Sequence, residues 1–217
     1  MIIFDCDGVL VDSEPVEYAV DIELLAPLGY RAPAEPERRF VGIARRDAYR
    51  AVFAELGRPL PEGLIEEAER RVQARHRTEL TAMPGLRAAL EALRDLPRCV
   101  ASSSTPESLA LKLEVAGLVA EFAPHIFSTA LVARGKPAPD IWLHAAACTG
   151  AKPAACIVIE DSRHGIAGAR AAGMRAIGFT GARHVPPQLA QELRAAGAER
   201  VVGTMAELPA AVRAMLG

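Results

Sequence analysis

Pairs of acidic side chains stand at the ends of two apolar runs in this sequence. Asp5 and Asp7 close the run that begins the chain, and Glu160 and Asp161 close a later run rich in β-branched residues. Four carboxylates in one crevice cannot all stay ionised without a counter-ion. The pattern therefore predicts a hard divalent cation, and Mg²⁺ is the one that typically binds through a few carboxylates together with substrate phosphate.

Hydroxyl and ammonium groups accompany these carboxylates. A third apolar run ends in Ser102, Ser103 and Ser104, and the segment "RGKPAPD" holds Lys136 in a proline-rich loop. Arginine supplies most of the basic residues, so a lysine in this loop suggests a need for a compact ammonium, whereas Lys112 and Lys152 need no such explanation. Carboxylates, a divalent cation, lysine and serine together favour a site for a phosphoryl group.

Each of these residues also has an ordinary structural interpretation. An aspartate after a strand commonly caps a turn or a helix. The serines before Pro106 can cap the helix that follows, and a loop lysine is usually solvated. The coincidence of all four features at strand ends favours the functional interpretation over these separate ones.

The apolar runs alternate with helical patterns, which is typical of a parallel sheet covered on both faces. The predicted strands are residues 2–6, 99–102, 156–160 and 175–179, with weaker candidates at 126–128 and 200–202. We therefore predict an α/β fold with a Rossmann-like doubly wound parallel sheet. Ligands bind beyond the carboxyl ends of the strands in such sheets, where the polar residues collect.

A long segment without a strand separates the first two predicted strands. It is too long for one crossover helix, and it contains helical patterns at residues 15–28, 45–56 and 63–80, followed by another at 86–96. We predict a core domain of residues 1–12 and 83–217 and an inserted α-helical domain of residues 13–82.

Composition excludes several classes of protein. The chain has 217 residues, 51% of them apolar, and a net charge of −2 without a dense basic cluster, which disfavours nucleic-acid binding. No apolar stretch has membrane-spanning length, and no basic region precedes an apolar segment at the N-terminus. Four cysteines without CxxC spacing are expected to be free thiols. We expect a cytoplasmic monomer that binds neither nucleic acid nor membrane.

Four segments of the chain resemble the sequential motifs of the haloacid dehalogenase-like hydrolase superfamily. They are "DCDGVLVDSE", "VASSS", "GKPAPD" and "IEDSRHGIAGARAAGM", in the family's order. The chain is most similar to the branch that contains sugar-phosphate phosphatases and β-phosphoglucomutase. In that branch a helical cap lies between the first and second motifs, which is where residues 13–82 fall.

The resemblance implies roles for the two N-terminal aspartates. Asp5 would be the nucleophile that attacks phosphorus to give an aspartyl-phosphate. Asp7 would protonate the leaving alcohol and then activate water, so the two carboxylates need different environments. Members that resemble true dehalogenases lack the second aspartate and the metal, so Asp7 disfavours dehalogenation.

The resemblance also implies a metal site and a phosphoryl site. Asp5, Asp161 and the backbone carbonyl of Asp7 would bind Mg²⁺, with Glu160 helping directly or through water. Ser102 and Lys136 would hold the phosphoryl oxygens, and Lys136 would also offset charge on the nucleophile. Ser103 is a further candidate for substrate contact.

Substrate choice is expected to lie in the insert, which can close over the site. The segment "FVGIARRDAYR" resembles the part of the cap that places an arginine over the substrate. Arg45 is the candidate, Arg46 is an alternative register, and an ordinary solvated arginine is the structural alternative. Arg45 would suit a substrate with a second anionic end. Glu14 and Glu17 lie where the insert meets the core and are further candidates for substrate contact.

These residues predict a Mg²⁺-dependent phosphatase of small phosphorylated metabolites, either sugar phosphates or sugar-acid phosphates. One alternative is a phosphomutase of the β-phosphoglucomutase type. Those mutases carry a histidine in the first cap helix near the position of Glu17, which favours hydrolysis here. A non-catalytic protein that binds a phospho-ligand is the second alternative, and the intact set of acid, base, lysine and metal carboxylates argues against it.

Overall fold

Six short segments form one parallel sheet in the computed structural model, which describes residues 1–31, 44–183 and 185–217. The strands are β1 (Ile2–Phe4), β2 (Arg98–Ser102), β3 (Ile126–Ser128), β4 (Ile157–Glu160), β5 (Arg175–Phe179) and β6 (Arg200–Val202). Their order across the sheet is β3-β2-β1-β4-β5-β6, and every neighbouring pair is parallel. The first strand therefore lies inside the sheet, between β2 and β4.

Helices connect these strands and form the insert. Within the described residues they are α1 (Glu14–Leu25), α2 (Arg45–Glu55), α3 (Leu64–Glu79), α4 (Leu86–Ala92), α5 (Pro106–Val115), α6 (Val119–Phe122), α7 (Asp140–Cys148), α8 (Arg163–Ala171), α9 (Leu189–Ala195) and α10 (Leu208–Leu216). None of the described helices combines the length and apolar composition needed to cross a membrane.

Alternate residues of each strand face two separate apolar layers. Ile2 and Phe4 pack with α4, α5, α6 and α10 on one face of the sheet. Ile3 packs with α7, α8 and α9 on the other face. Because successive side chains of a strand point to opposite faces, a sheet buried on both sides needs apolar residues at every position. The predicted doubly wound parallel sheet is confirmed.

The insert has an apolar cluster of its own. Leu25, Tyr49, Phe53 and Ala68 bring α1, α2 and α3 together away from the sheet. Its two connections to the core run side by side: the amide of Asp12 donates to the carbonyl of Thr81 at 3.1 Å, and that of Met83 donates to Leu10 at 2.9 Å. The division at residues 13 and 82 remains a prediction.

Most element boundaries differ from the predicted ones by a few residues, and the differences have local causes. The helix predicted at 15–28 is interrupted after Leu25, and Ala26–Leu28 form a 3₁₀ turn instead. Pro27 within that turn has no backbone N–H to donate, which disfavours a continuing α-helix. The strand predicted at 2–6 ends at Phe4, because the chain turns after Asp5 towards Gly8, whose φ is 72°.

Candidate active site

Three neighbouring strands end in the polar residues selected from the sequence. Asp5 follows β1 directly, and its amide donates to the carbonyl of Ile159 at 2.9 Å, which extends the β1–β4 ladder by one bond. Glu160 is the last residue of β4, and Ser102 is the last residue of β2. Because β1 lies between these two strands, the sheet itself brings the three side chains to one edge.

Asp5, Glu160 and Asp161 form a buried carboxylate cluster at this edge. One oxygen from each lies within 4.8 Å of the others. Glycines make room for them: a Cβ at Gly8 would lie 2.2 Å from Asp161 Oδ2, and one at Gly165 would lie 2.0 Å from Glu160 Cδ. Buried carboxylate oxygens at this spacing fit a hard divalent cation, which prefers oxygen ligands.

Lys136 is the cation that lies within the cluster. Its Nζ donates to Asp5 Oδ1 at 2.5 Å and to Glu160 Oε2 at 2.8 Å, and it lies 4.5 Å from the centre of the Trp142 ring. Burial opposes the charge of Lys136, but the two carboxylates outweigh it and raise the pKa of the ammonium. The predicted meeting of Lys136 with the carboxylates is therefore present in the structure, whereas Trp142 was not a candidate.

Asp5 has an environment that disfavours its negative charge. Burial is the largest cause, and the nearby carboxylate of Glu160 adds to it, so the pKa of Asp5 rises to about 7 although Lys136 partly offsets both effects. A nucleophile must be ionised. A divalent cation held by Asp5, Glu160 and Asp161 would favour that ionised form through its own charge.

Asp7 has the opposite environment, although it lies only two residues away. Its Oδ1 accepts from Lys112 Nζ and from Ser13 Oγ, each at 2.5 Å, and its Oδ2 accepts from Ser104 Oγ at 2.8 Å. Burial opposes ionisation, but the charge of Lys112 and the three hydrogen bonds outweigh it and hold the pKa of Asp7 well below its usual range. The two carboxylates thus differ strongly in basicity.

The serines after β2 fix the loop beside Asp7. Ser102 is fully buried and its hydroxyl oxygen accepts from the amide of Ser104 at 3.0 Å. Ser128, at the end of β3, donates its hydroxyl to the carbonyl of Ser104 at 2.5 Å. Ser103 lines the cavity described below. These contacts hold the Ser104 hydroxyl against Asp7, whereas the sequence analysis considered Ser104 only among the serines at the end of this strand and before the next helix.

Lys112 is the functional candidate that sequence reasoning missed. It lies on α5, is 2% exposed, and its Nζ donates to Glu17 Oε1 at 2.8 Å as well as to Asp7. The interpretation of Lys112 as a lysine needing no explanation was therefore wrong. The rarity of lysine in this arginine-rich chain was a usable signal, but the partner Glu17 is 95 residues away.

Glu17 and Arg45 meet on the insert side of the site. Arg45 Nη2 donates to Glu17 Oε2 at 2.8 Å, Nη1 donates to Glu69 Oε1 at 3.0 Å, and Nε donates to Asp21 Oδ1 at 3.3 Å. The Arg45 side chain is 10% exposed, so it is not the solvated arginine of the structural alternative. The neighbouring Arg46 is 57% exposed.

A cavity of about 1150 Å³ lies between the sheet edge and the insert. The candidates that line it are Asp5, Asp7, Glu14, Glu17, Arg45, Arg46, Ser103 and Asp161. The cavity therefore connects the carboxylate cluster with the candidate residues of the insert. Residues 40–43, which begin the segment compared with the family's cap, lie outside the described residues.

Fold and site together define an α/β protein with a carboxylate-and-lysine centre at the carboxyl edge of a parallel sheet. The family model for haloacid dehalogenase-like hydrolases matches residues 1–173. The chain belongs to this family, as its motifs indicated, and it is a hydrolase by that membership.

Named relatives and a solved structure extend this comparison. A Drosophila melanogaster protein named "Probable pseudouridine-5'-phosphatase" is 32% identical, over 94% of this chain and 89% of its own. The Escherichia coli 6-phosphogluconate phosphatase is 30% identical, over 86% and 85%. The structure of a haloacid dehalogenase-like protein from Agrobacterium tumefaciens is 45% identical, with a TM-score of 0.87, and covers 100% of this chain and 98% of that one.

Proposed function

We propose that this protein is a Mg²⁺-dependent phosphatase that hydrolyses small phosphorylated metabolites through an aspartyl-phosphate on Asp5. The observation that carries the proposal is the buried cluster in which Asp5, Glu160 and Asp161 meet Lys136. Asp5 and Asp161 of this cluster line the large cavity. Two relatives named as phosphatases of phosphorylated metabolites support the reaction class.

The reaction divides between the two aspartates. In the first half, a carboxylate oxygen of Asp5 forms a bond to phosphorus while the bond from phosphorus to the leaving oxygen breaks, and Asp7 gives that oxygen a proton. In the second half, Asp7 takes a proton from water as the water oxygen attacks phosphorus and releases Asp5. Inorganic phosphate and an alcohol are the products.

The surrounding groups supply charge and position. Asp5, Asp161 and Glu160 would hold Mg²⁺, which would supply positive charge to offset the negative charge that develops on the phosphoryl group. In this proposal Lys136 supplies further positive charge at the nucleophile, and the Ser102 hydroxyl and the loop that follows it hold phosphoryl oxygens. We infer that the insert acts as a cap that excludes water while the ester is bound.

The contacts of Asp7 in this structure suit the second half of the reaction. Lys112 and the two serines stabilise the carboxylate form, which can accept a proton from water. For the first half, a substrate oxygen must reach Asp7 and the proton must reside on its carboxyl group. The proposal therefore requires that substrate binding changes the contacts of Asp7.

A panel assay tests the proposed function. Phosphate release is measured from sugar, sugar-acid, polyol and nucleoside monophosphates and from p-nitrophenyl phosphate, with Mg²⁺ and with excess EDTA. We expect release that depends on Mg²⁺ and that EDTA abolishes. Accumulation of an isomeric sugar phosphate without free phosphate would establish the mutase instead, and binding without turnover of any ester would establish a phospho-ligand-binding protein.

A further inference from the structure

We propose that the insert selects phosphate esters whose distal part is an uncharged polyol or sugar, and that it rejects esters with a second anionic group. The inference rests on the proposed function and narrows its substrate class. It revises the expectation from the sequence that Arg45 would bind a second anionic end of the substrate.

The guanidinium of Arg45 already makes hydrogen bonds through all three of its nitrogens. An arginine frequently receives a carboxylate or phosphate through two N–H groups arranged as a fork. Each of the three guanidinium nitrogens of Arg45 already contacts a different carboxylate. Those partners come from α1 and α3, which pack against each other, so the fork is occupied by the protein itself.

The ionic network around that guanidinium contains more carboxylates than cations. Within the described residues, these ion pairs connect four carboxylates, on Asp7, Glu17, Asp21 and Glu69, with two cations, on Lys112 and Arg45. All six residues line the cavity. An anionic group brought here meets a formally negative surface, whereas a hydroxyl group can donate to a carboxylate oxygen and gain a charge-assisted bond.

The other basic residues of the insert that line the cavity are exposed to solvent. Within the described part of the chain these are Arg46 and Arg70, whose side chains are 57% and 72% exposed. Arg46 lies 3.9 Å from Glu66, and Arg70 is paired with Glu67. Exposed, paired arginines give weak attraction to a second anion because water screens them.

Matched pairs of esters test the selection in the wild-type enzyme. The six-carbon pair is glucitol 6-phosphate and 6-phosphogluconate, which have the same chain length. The first ends in a hydroxymethyl group where the second ends in a carboxylate. The three-carbon pair is glycerol 3-phosphate and 3-phosphoglycerate, which differ in the same way. We expect kcat/KM to be at least about tenfold higher for the uncharged member of the pair that is turned over best. Equal values, or a preference for the acid, would overturn the inference.

Two double variants test whether the carboxylates around Arg45 cause the selection against anionic esters. Asp21→Asn with Glu69→Gln neutralises two of the three carboxylates that pair with the Arg45 guanidinium. Glu23→Gln with Glu79→Gln removes two charges from the same helices at exposed positions that do not line the cavity. We expect the first variant to shift the acid-to-neutral ratio of kcat/KM towards the acid by at least about tenfold, and the second to leave that ratio within about twofold.

Failure of the inference is distinguishable from failure of the proposed function. Hydrolysis of p-nitrophenyl phosphate reports on the sheet-edge site without a polyol chain, so its absence in the wild type counts against the phosphatase itself. If that ester is hydrolysed but the first double variant, folded by circular dichroism, keeps the wild-type acid-to-neutral ratio, the inference is wrong. If the double variant does not fold, the wild-type ratios alone decide.

Discussion

At the scale of single residues, the two N-terminal aspartates lie two positions apart in the chain but have opposite electrostatic environments. Asp5 shares its cluster with Glu160 and Asp161 and has a raised pKa, whereas Asp7 contacts an ammonium and two hydroxyls and has a lowered one. A nucleophile must be ionised and a general acid must carry a proton. The assigned roles therefore require a cation beside Asp5 and a change in the contacts of Asp7 when substrate binds.

Substitution of the proposed nucleophile is the simplest prediction at this scale. Asp5→Asn keeps the shape of the side chain but removes the attacking oxygen's charge, so kcat is expected to fall at least about a thousand-fold. Phosphate release from p-nitrophenyl phosphate is the measurement, with Asp95→Asn on the exposed surface as the control. Retention of more than about a tenth of the wild-type rate would remove Asp5 from the nucleophile role.

Substitution of Lys112 tests the buried ion pair. Lys112→Met leaves Asp7 and Glu17 without their shared cation, while the exposed Lys152→Met is the matched control. Both carboxylates keep about a quarter of their side chain exposed, at 29% and 26%. We expect a loss of about 2–4 kcal/mol in the free energy of unfolding, measured with urea without metal.

This destabilisation has a definite pH dependence. The pKa values of Asp7 and Glu17 are lowered in the folded state from 3.8 and 4.5. A lowered pKa stabilises the folded state fully above the unfolded value and progressively less as pH falls towards the folded value. The difference between wild type and Lys112→Met should therefore be largest above about pH 5 and shrink on acidification. A difference that grows below pH 4 would contradict the account.

At the scale of elements, the strands were predictable because a strand buried on both faces is continuously apolar, and β3, β5 and β6 have the predicted bounds. The same reasoning placed Asp5, Glu160 and Ser102 at one edge. It could not place Lys112 or the carboxylates around Arg45, because those contacts join helices far apart in the chain and depend on how the insert packs. Helix periodicity predicts which face of a helix is buried, but it does not predict which residues pack against that face.

The first turn of α8 illustrates an element shaped for the site. Ser162 caps this helix by accepting from the amide of Gly165, and Ser162 also donates its hydroxyl to Glu160 Oε1 at 2.6 Å. The side chain of Glu160 occupies the space where a Cβ at Gly165 would stand. The helix start therefore fixes one carboxylate of the proposed metal site.

Gly165→Ala is expected to displace Glu160 and weaken Mg²⁺ binding. Displacing a group that orients a metal site typically costs about 10–100-fold in affinity. Gly203→Ala is the matched control, because its Cβ would meet nothing closer than 3.9 Å. Isothermal titration with Mg²⁺ measures both, and equal affinities in the two variants would contradict the placement of Glu160 at the metal.

At the scale of the whole molecule, a cation bound at the sheet edge should stabilise the fold. A ligand that binds only the folded state at a hundred times its dissociation constant adds about 2.7 kcal/mol to the free energy of unfolding. We expect Mg²⁺ to raise the melting temperature of the wild type and of Asp95→Asn but not of Asp161→Asn. An equal rise in all three would place the cation elsewhere.

The sheet and the insert have different parts in this account. The ends of β1 and β4 fix the carboxylates of the cluster, and the loop before α7 brings Lys136 to them. The insert contributes Glu17, Asp21 and Glu69 to the wall of the cavity. The proposed reaction therefore depends on the core, and the proposed selection among esters depends on the insert. Changes in the Arg45 environment should alter which ester is used and leave the requirement for Asp5 unchanged.

The most direct test of the central proposal is detection of the aspartyl-phosphate. The enzyme is mixed with Mg²⁺ and excess p-nitrophenyl phosphate, quenched in acid during turnover, and digested for mass spectrometry. We predict that the N-terminal peptide gains the mass of one phosphoryl group on Asp5 and that Asp5→Asn shows no such gain. Phosphate release in the wild type with no modified peptide, or with the phosphoryl group on another residue, would contradict the account.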